Sequence, residues 1–191
     1  SGLTWSTYYG GSSTDVGTAI AVDGQGRIYM GGYTHSSNFP TGNDPFQGEY
    51  SGSADGFVVR VDPSRQALDA IDRGTFLGGS GIDFVYAIHL GANEVVHATG
   101  YTTSDNFPTA GNAPQTRFGG IADAFVARLD HTIPGRGQLT FSTYWGGAGT
   151  DIAYGLAVET GGRVHITGYT YSFEFPVTSN ALQSRFGGGA H

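Results

Sequence analysis

The chain has 191 residues, enough for one domain with a hydrophobic core, and 33 of them are glycine. It has no cysteine and no lysine, and its nine arginines leave a formal net charge of −7. These values exclude disulfide bonds and thiolate metal sites and argue against a nucleic-acid partner. No apolar run approaches the roughly 18 residues needed to span a bilayer, so we expect no membrane insertion.

One pattern recurs along the chain at a fixed spacing of 68 residues. Asp15, Asp83 and Asp151 occupy the same position in three copies of a glycine-rich segment. The remaining positions keep this spacing without an insertion, which is typical of a repeat protein. We therefore expect a single domain over 1–191, with repeats at approximately 3–70, 71–138 and 139–191, the last one truncated.

Each repeat carries four predicted strands. In the first copy they cover 18–23, 27–34, 55–62 and roughly 70–77, with a glycine turn over 23–26 between the first two. The strands lack polar alternation, as in 19–22, which indicates a sheet covered on both faces. No helical period is sustained. The pattern predicts an all-β protein of β-propeller blades, each with four antiparallel strands; a flat sandwich with internal repeats is the alternative.

The repeated motifs resemble those of a known family, the bacterial seven-bladed β-propeller repeat. The motifs are Tyr-Gly-Gly-Ser-x-x-Asp ending at Asp15, Ala-Val-Asp-x-x-Gly-Arg-Ile-Tyr around Asp23, Gly-Tyr-Thr-x-Ser-x-Asn-Phe-Pro around Phe39, and Asp-Ala-Phe-Val-Ala-Arg-Leu-Asp around Phe125. The resemblance implies secreted or cell-surface bacterial proteins with several domains. It implies no common catalytic activity, so no catalytic residue is carried over, and we expect a protein that is not an enzyme.

Three repeats are too few to close a propeller, which typically needs 4–8 blades. The pattern predicts two full blades, the inner half of a third, and a spare fourth strand at 3–9, so the ring in this chain is incomplete. Either the chain is part of a longer protein, or copies assemble by completing each other's blades. In both cases we expect an assembly edge that includes Leu3, Trp5, Tyr9 and Trp145.

The loop that enters the first strand and the long loop over 34–54 should share one end of each blade. Five repeated carboxylates belong to that end: Asp15, Asp83, Asp151, Asp55 and Asp123. They are weak candidates for a calcium ligand set, because hard cations bind several carboxylate and carbonyl oxygens. The alternative, which we favour, is that each aspartate accepts hydrogen bonds from loop amides. No cofactor is otherwise expected.

The positions at which the repeats differ are the best candidates for ligand binding. His35, Thr103 and Tyr171 share one such position after the second strand, and Asn38, Asp105 and Glu174 lie close by. Mixed aromatic and polar residues on a rim suit carbohydrate or peptide contact, although drift on a solvated loop would give the same variety. The sequence thus predicts an extracellular interaction module whose partners are other proteins or copies of itself, with glycan binding on the loop-rich face as the alternative function.

Overall fold

The computed structural model describes residues 2–188 and consists of three antiparallel sheets. Blade 1 contains β1 (Asp15–Val22), β2 (Ile28–Thr34), β3 (Asp55–Val61) and β4 (Ile71–Leu77). Blade 2 contains β5 (Asp83–Leu90), β6 (Val95–Thr102), β7 (Asp123–Asp130) and β8 (Leu139–Trp145). Blade 3 contains β9 (Asp151–Val158) and β10 (Val164–Thr170). Within each blade the strands pair in chain order, which confirms the predicted fold class.

The blades stack face to face, which explains why their strands are apolar on both sides. The second blade presents β5 to β1, β2 and β3, and the third presents β9 to β5, β6 and β7. As a result, every residue of β3 is buried. The principal core joins blades 1 and 2, with Tyr29 and Val58 in the same cluster as Val85, Phe125 and Leu129.

The turn between the first two strands of a blade has a residue with a positive φ angle, and this residue is glycine in two blades and glutamate in the other. Gly26 and Gly162 adopt positive φ angles of 81° and 82° in blades 1 and 3, as the glycine turn predicts. In blade 2 the same position is Glu94, at φ 61°. This unfavourable conformation places the Glu94 carboxylate between two arginines: it lies 2.7 Å from Arg27 Nη1 and also pairs with Arg60. Blade 1 and blade 2 are therefore linked by ion pairs at the end opposite the long loops.

The segment over 3–9 differs from the prediction. Residues 2–14 contain no strand, because no described strand lies beside them to complete a hydrogen-bond ladder. Tyr9 nevertheless anchors the segment: its hydroxyl donates to the Pro40 carbonyl at 2.5 Å, and its ring meets Phe39 edge-on at 5.1 Å. The described residues contain no helix of the length and apolarity that a membrane crossing requires.

Candidate functional site

The long loops and the repeated carboxylates meet at one end of each blade, as predicted. The strand register places Asp15 opposite Thr34, and Thr34 opposite Asp55. The same pairing aligns Asp83, Thr102 and Asp123 in blade 2. This end of the blades is called the loop end below.

Each pair of neighbouring blades is joined at the loop end by two aspartates. At the first joint, Asp83 Oδ2 accepts hydrogen bonds from Gly79 N at 2.7 Å and from Ser104 Oγ at 2.8 Å. Asp55 Oδ2 accepts from Ser51 N at 2.8 Å and from Gln47 Nε2 at 3.1 Å. Loop amides therefore occupy one oxygen of each carboxylate.

A glycine separates the two carboxylates of each joint. A Cβ atom at Gly78 would lie 2.5 Å from Asp55 Oδ1 and 2.8 Å from Asp83 Oδ2. At the second joint, a Cβ at Gly146 would lie 2.6 Å from Asp123 Oδ1 and 2.7 Å from Asp151 Oδ2. Only glycine leaves room for both acids, which explains the recurring Gly-Gly sequence.

Burial changes the acidity of these joint residues. Asp55 is fully buried, and desolvation together with the nearby Asp83 raises its pKa to about 7. Desolvation and Asp151 raise the pKa of Asp123 to about 6. At neutral pH the first joint is thus close to holding one proton between its two acids.

The joints favour the hydrogen-bonding interpretation of the aspartates over the calcium interpretation. All five accept an amide hydrogen bond from the residue four positions earlier, as Asp15 does from Gly11 N at 2.7 Å. Across residues 2–188, no group of three or more His, Asp or Glu side chains is arranged to hold a metal ion. Calcium binding stays a prediction without support from a complete ligand set.

Three of the predicted rim residues use their polar atoms to hold the glycine-rich loops. Asn38 Oδ1 accepts from Ser12 N at 2.9 Å, and Glu174 Oε1 accepts from Ala148 N at 2.8 Å in the equivalent place. Thr103 Oγ1 accepts from Ile82 N at 2.7 Å. The change from Asn38 in blade 1 to Glu174 in blade 3 therefore preserves an acceptor oxygen. A ligand that bound these side chains would compete with the loop amides for the same oxygen atoms. Asp105, also on the rim, is exposed.

The other two rim residues, His35 and Tyr171, stand at the ends of a row of aromatic rings that crosses all three blades. We call this row the aromatic ribbon. Its members, in spatial order, are His35, Tyr33, Phe84, Tyr101, Tyr86, Tyr154, Tyr169 and Tyr171, with neighbouring ring centroids 3.6 to 6.1 Å apart.

The ribbon is a surface feature that also bridges the blades. Tyr33 of blade 1 stacks on Phe84 of blade 2 at 3.6 Å, and Tyr86 of blade 2 meets Tyr154 of blade 3 at 5.2 Å. Tyr154 and Tyr171 are about half exposed, at 51% and 50%. Burial and the neighbouring phenols raise the pKa of Tyr86 to about 12, so its hydroxyl stays protonated and able to donate a hydrogen bond. The ribbon offers aromatic faces and neutral hydroxyls together.

The sequence predicted the ends of the ribbon but not its middle. Tyr33, Tyr101 and Tyr169 belong to the repeated Gly-Tyr-Thr motif, which we interpreted only as a marker of the repeat. The available signal was alternation: Phe84 and Tyr86 lie two positions apart on one strand and so share a face.

The four predicted assembly-edge residues do not lie together in the structure. Leu3 and Trp5 are exposed, at 86% and 40%, and Tyr9 follows them on the same segment. Trp145 instead lines a groove between blade 2 and blade 3. The role of these residues in assembly stays a prediction.

Comparison with known proteins agrees with this architecture. The model of a β-propeller repeat family, SBBP, matches residues 4–40, which span the first glycine-rich loop, β1 and β2. This match confirms the resemblance predicted from the sequence. No curated protein matches the chain.

Proposed function

We propose that this chain is a non-enzymatic interaction module of β-propeller blades that binds its partner on the aromatic ribbon. The observation that carries the proposal is the continuity of the ribbon: eight rings cross three blades, and Tyr154 and Tyr171 keep about half of their surface in contact with solvent. Tyrosine is enriched where proteins bind each other, because its ring is rigid and its hydroxyl can form a hydrogen bond.

The proposal of a non-enzymatic role rests on the repetition of the acids. Asp83 and Asp151 sit in equivalent joints and accept equivalent amide hydrogen bonds. An active centre requires unlike groups converging once, with a base within reach of the group it activates. The carboxylates of this chain instead recur wherever two blades meet.

A second candidate function is glycan binding, which the chemistry of the ribbon favours. Sugars present apolar C–H faces and hydroxyl edges, and the ribbon pairs aromatic faces with phenol groups. The rim residues Thr103, Asp105 and Glu174 would then supply further polar contacts beside the rings. Glycan binding also fits the extracellular or cell-surface location that we propose from the family resemblance.

The test is a double variant of the most exposed rings, Tyr154→Ala and Tyr171→Ala, with Tyr8→Ala as control. Tyr8 is fully exposed and lies outside the ribbon. Tyr8→Ala therefore removes the same type of side chain from the surface without changing the ribbon. Peptides selected by display against the chain, and an array of neutral oligosaccharides, provide the ligands. We expect the double variant to weaken binding about tenfold or more, as for loss of a hot spot, while Tyr8→Ala binds normally.

Equal binding by the double variant and the parent chain would show that the ribbon is not the binding surface. Binding of peptides alone would support the interaction module without glycan. Binding of oligosaccharides that depends on Tyr154 and Tyr171 would establish the second candidate.

A further inference from the structure

Two arginines at equivalent places differ in their partners at the turn end of the blades, which is the end opposite the loop end. At the first interface, between blades 1 and 2, Arg60 binds two carboxylates. Asp72 lies 2.7 Å from its Nε and 2.8 Å from its Nη2, and Glu94 pairs with its Nη1. At the second interface, between blades 2 and 3, Arg128 takes this place, and its Nε donates only to Thr140 Oγ1 at 2.9 Å. Within residues 2–188 Arg128 forms no ion pair.

The two missing acids are replaced by residues of this chain that the structure describes. Position for position, Thr140 stands where Asp72 does, and Gly162 stands where Glu94 does. Gly162 keeps a positive φ of 82°, and a Cβ there would meet no atom within 4 Å. Two hollows at the second interface are both lined by His97, Arg128 and Gly162. The place of the Glu94 carboxylate is therefore open beside Arg128.

Three side chains with basic groups lie side by side on blade 2, and we call them the basic row. His89 pairs with His97 across β5 and β6, and His97 pairs with Arg128 across β6 and β7, so all three share one face. The two imidazole rings are 6.3 Å apart. Blade 1 has Ala21 and Tyr29 at the two histidine positions. Since like charges opposite each other destabilise a sheet, the basic row favours an anion in front of it.

His97 also has a buried nitrogen atom without a partner. Its side chain is 7% exposed, and its Nδ1 makes no hydrogen bond. This atom would lie 3.9 Å from a Cβ at Gly91, and both residues line the same hollow. Burial, together with His89 and Arg128, lowers the pKa of His97 to about 4, so at pH 7 the neutral ring has one N–H to donate. An acceptor at this place would remove the cost of leaving a buried polar atom unpaired.

The acids that line the same hollow already have partners. Glu159 Oε1 lies 2.7 Å from His165 Nε2 and 3.9 Å from Arg163 Nη1. Asp130 Oδ1 accepts hydrogen bonds from Thr132 N at 2.9 Å and from Thr132 Oγ1 at 2.6 Å. Neither acid forms an ion pair with the basic row.

We propose that a small oxyanion, a carboxylate or a phosphate, binds to Arg128 and His97 beside Gly162, in the place that the Glu94 carboxylate takes at the first interface. The guanidinium supplies a fixed charge and a planar pair of N–H donors, a geometry that matches both carboxylate and phosphate. His97 adds one further donor. The site lies at the turn end, whereas the aromatic ribbon lies at the loop end, so the proposal does not depend on the ribbon.

The experiment is an NMR titration of the histidine side chains with sodium phosphate at pH 6. Sodium chloride of equal ionic strength is the control for screening, and the spectrum of His97→Gln identifies the His97 signals. We expect saturable shifts of the His97 and His89 signals. With phosphate bound, the pKa of His97 should rise by at least about one, because a nearby anion favours the charged imidazole. Shifts that sodium chloride reproduces in full would overturn the proposal.

Variants of the protein test the two sides of the site. Arg128→Gln should weaken phosphate binding at least about tenfold, whereas Arg65→Gln, an exposed arginine of blade 1, should not. Gly162→Glu supplies the acid of the first interface in the backbone conformation that Glu94 adopts, so it should fill the site and also weaken binding at least about tenfold. Phosphate binding that is unchanged in Arg128→Gln or in Gly162→Glu would refute the assignment.

Competition experiments distinguish the sources of the oxyanion. Glutarate and an acetylated peptide of five glutamates are each added to the chain saturated with phosphate. Displacement of phosphate by glutarate would support a site for free anions. Displacement by the peptide alone would support a site for an acidic side chain of another protein.

Discussion

Replacement of Asp55 by asparagine should stabilise the protein above pH 7. Asp55 is fully buried, and its folded-state pKa of about 7 stands against an ordinary value of 3.8. Between these two pH values the folded chain holds a proton that the unfolded chain has released. The free energy of unfolding therefore falls as the pH rises through this window, by about 4 kcal/mol in total at 1.36 kcal/mol per pH unit.

Asparagine removes this loss because it is neutral at every pH. Its amide oxygen can accept the hydrogen bonds from Ser51 N and Gln47 Nε2, and its amide nitrogen would stand in the place of Asp55 Oδ1, which accepts no hydrogen bond. A neutral acceptor forms a weaker hydrogen bond than a carboxylate does, so about 4 kcal/mol is an upper limit. We expect Asp55→Asn to raise the unfolding free energy by about 1 to 3 kcal/mol at pH 8 and to change it little at pH 5.

The assay is denaturant unfolding at pH 5, 6, 7 and 8, followed by circular dichroism. The difference between variant and parent is the informative quantity, since buried histidines act in the opposite direction. Burial lowers the pKa of His131 and of His97 to about 4, so these two groups make the parent chain more stable as the pH rises from 4 to 6.5. Asp123→Asn should show a smaller gain that is complete at a lower pH, because the pKa of Asp123 is about 6. A variant no more stable than the parent at pH 8 would refute the argument.

Two further substitutions test the packing of blade on blade, in addition to the ribbon variants. Gly78→Ala should lower the unfolding free energy by about 1 to 3 kcal/mol, because its methyl group would overlap both joint carboxylates. The control Gly24→Ala should change the unfolding free energy little, because its methyl group would meet no atom within 4 Å. Thermal unfolding of both variants tests this difference. Arg60→Met should lower the unfolding free energy by about 3 kcal/mol, because it leaves the Asp72 carboxylate without its cation, whereas Glu94 keeps Arg27. Chemical denaturation should show a much smaller loss for the exposed control Arg65→Met.

The blade architecture followed from the sequence because a fixed spacing of 68 constrains every repeat at once. The predicted strand over 27–34 matches β2 (Ile28–Thr34), and the predicted strand over 70–77 matches β4 (Ile71–Leu77). The first strand begins at Asp15 and not at the predicted residue 18, because Asp15 and Gly17 are weak strand formers. Hydrogen-bonded pairing with Tyr33 and Gly32 of β2 extends the strand over residues whose own strand propensity is low.

The ribbon and the turn at Glu94 were beyond sequence reasoning for different physical reasons. The stack of Tyr33 on Phe84 joins two blades, and its geometry depends on how one sheet lies on the next. Glu94 occupies a position where the other repeats have glycine, which marks an irregularity but does not identify its cause. The cause is the pair of arginines on blade 1, Arg27 and Arg60, which come close only after the blades stack.

Conserved and variable repeat positions have separate roles in this chain. Where the repeats agree, as at Gly78 and Gly146, the side chains that meet are joint carboxylates, and loop amides of the protein itself bind one oxygen of each. The three atoms nearest to a Cβ at Gly10 all belong to Asp15, whereas those nearest to a Cβ at Gly78 belong to both Asp55 and Asp83. Where the repeats differ along the ribbon, as Tyr86 and Tyr154 differ from Thr18, no joint requires the change. Such positions are free to respond to a ligand, and this is why the ribbon, rather than the repeated carboxylates, is the surface on which binding should be sought.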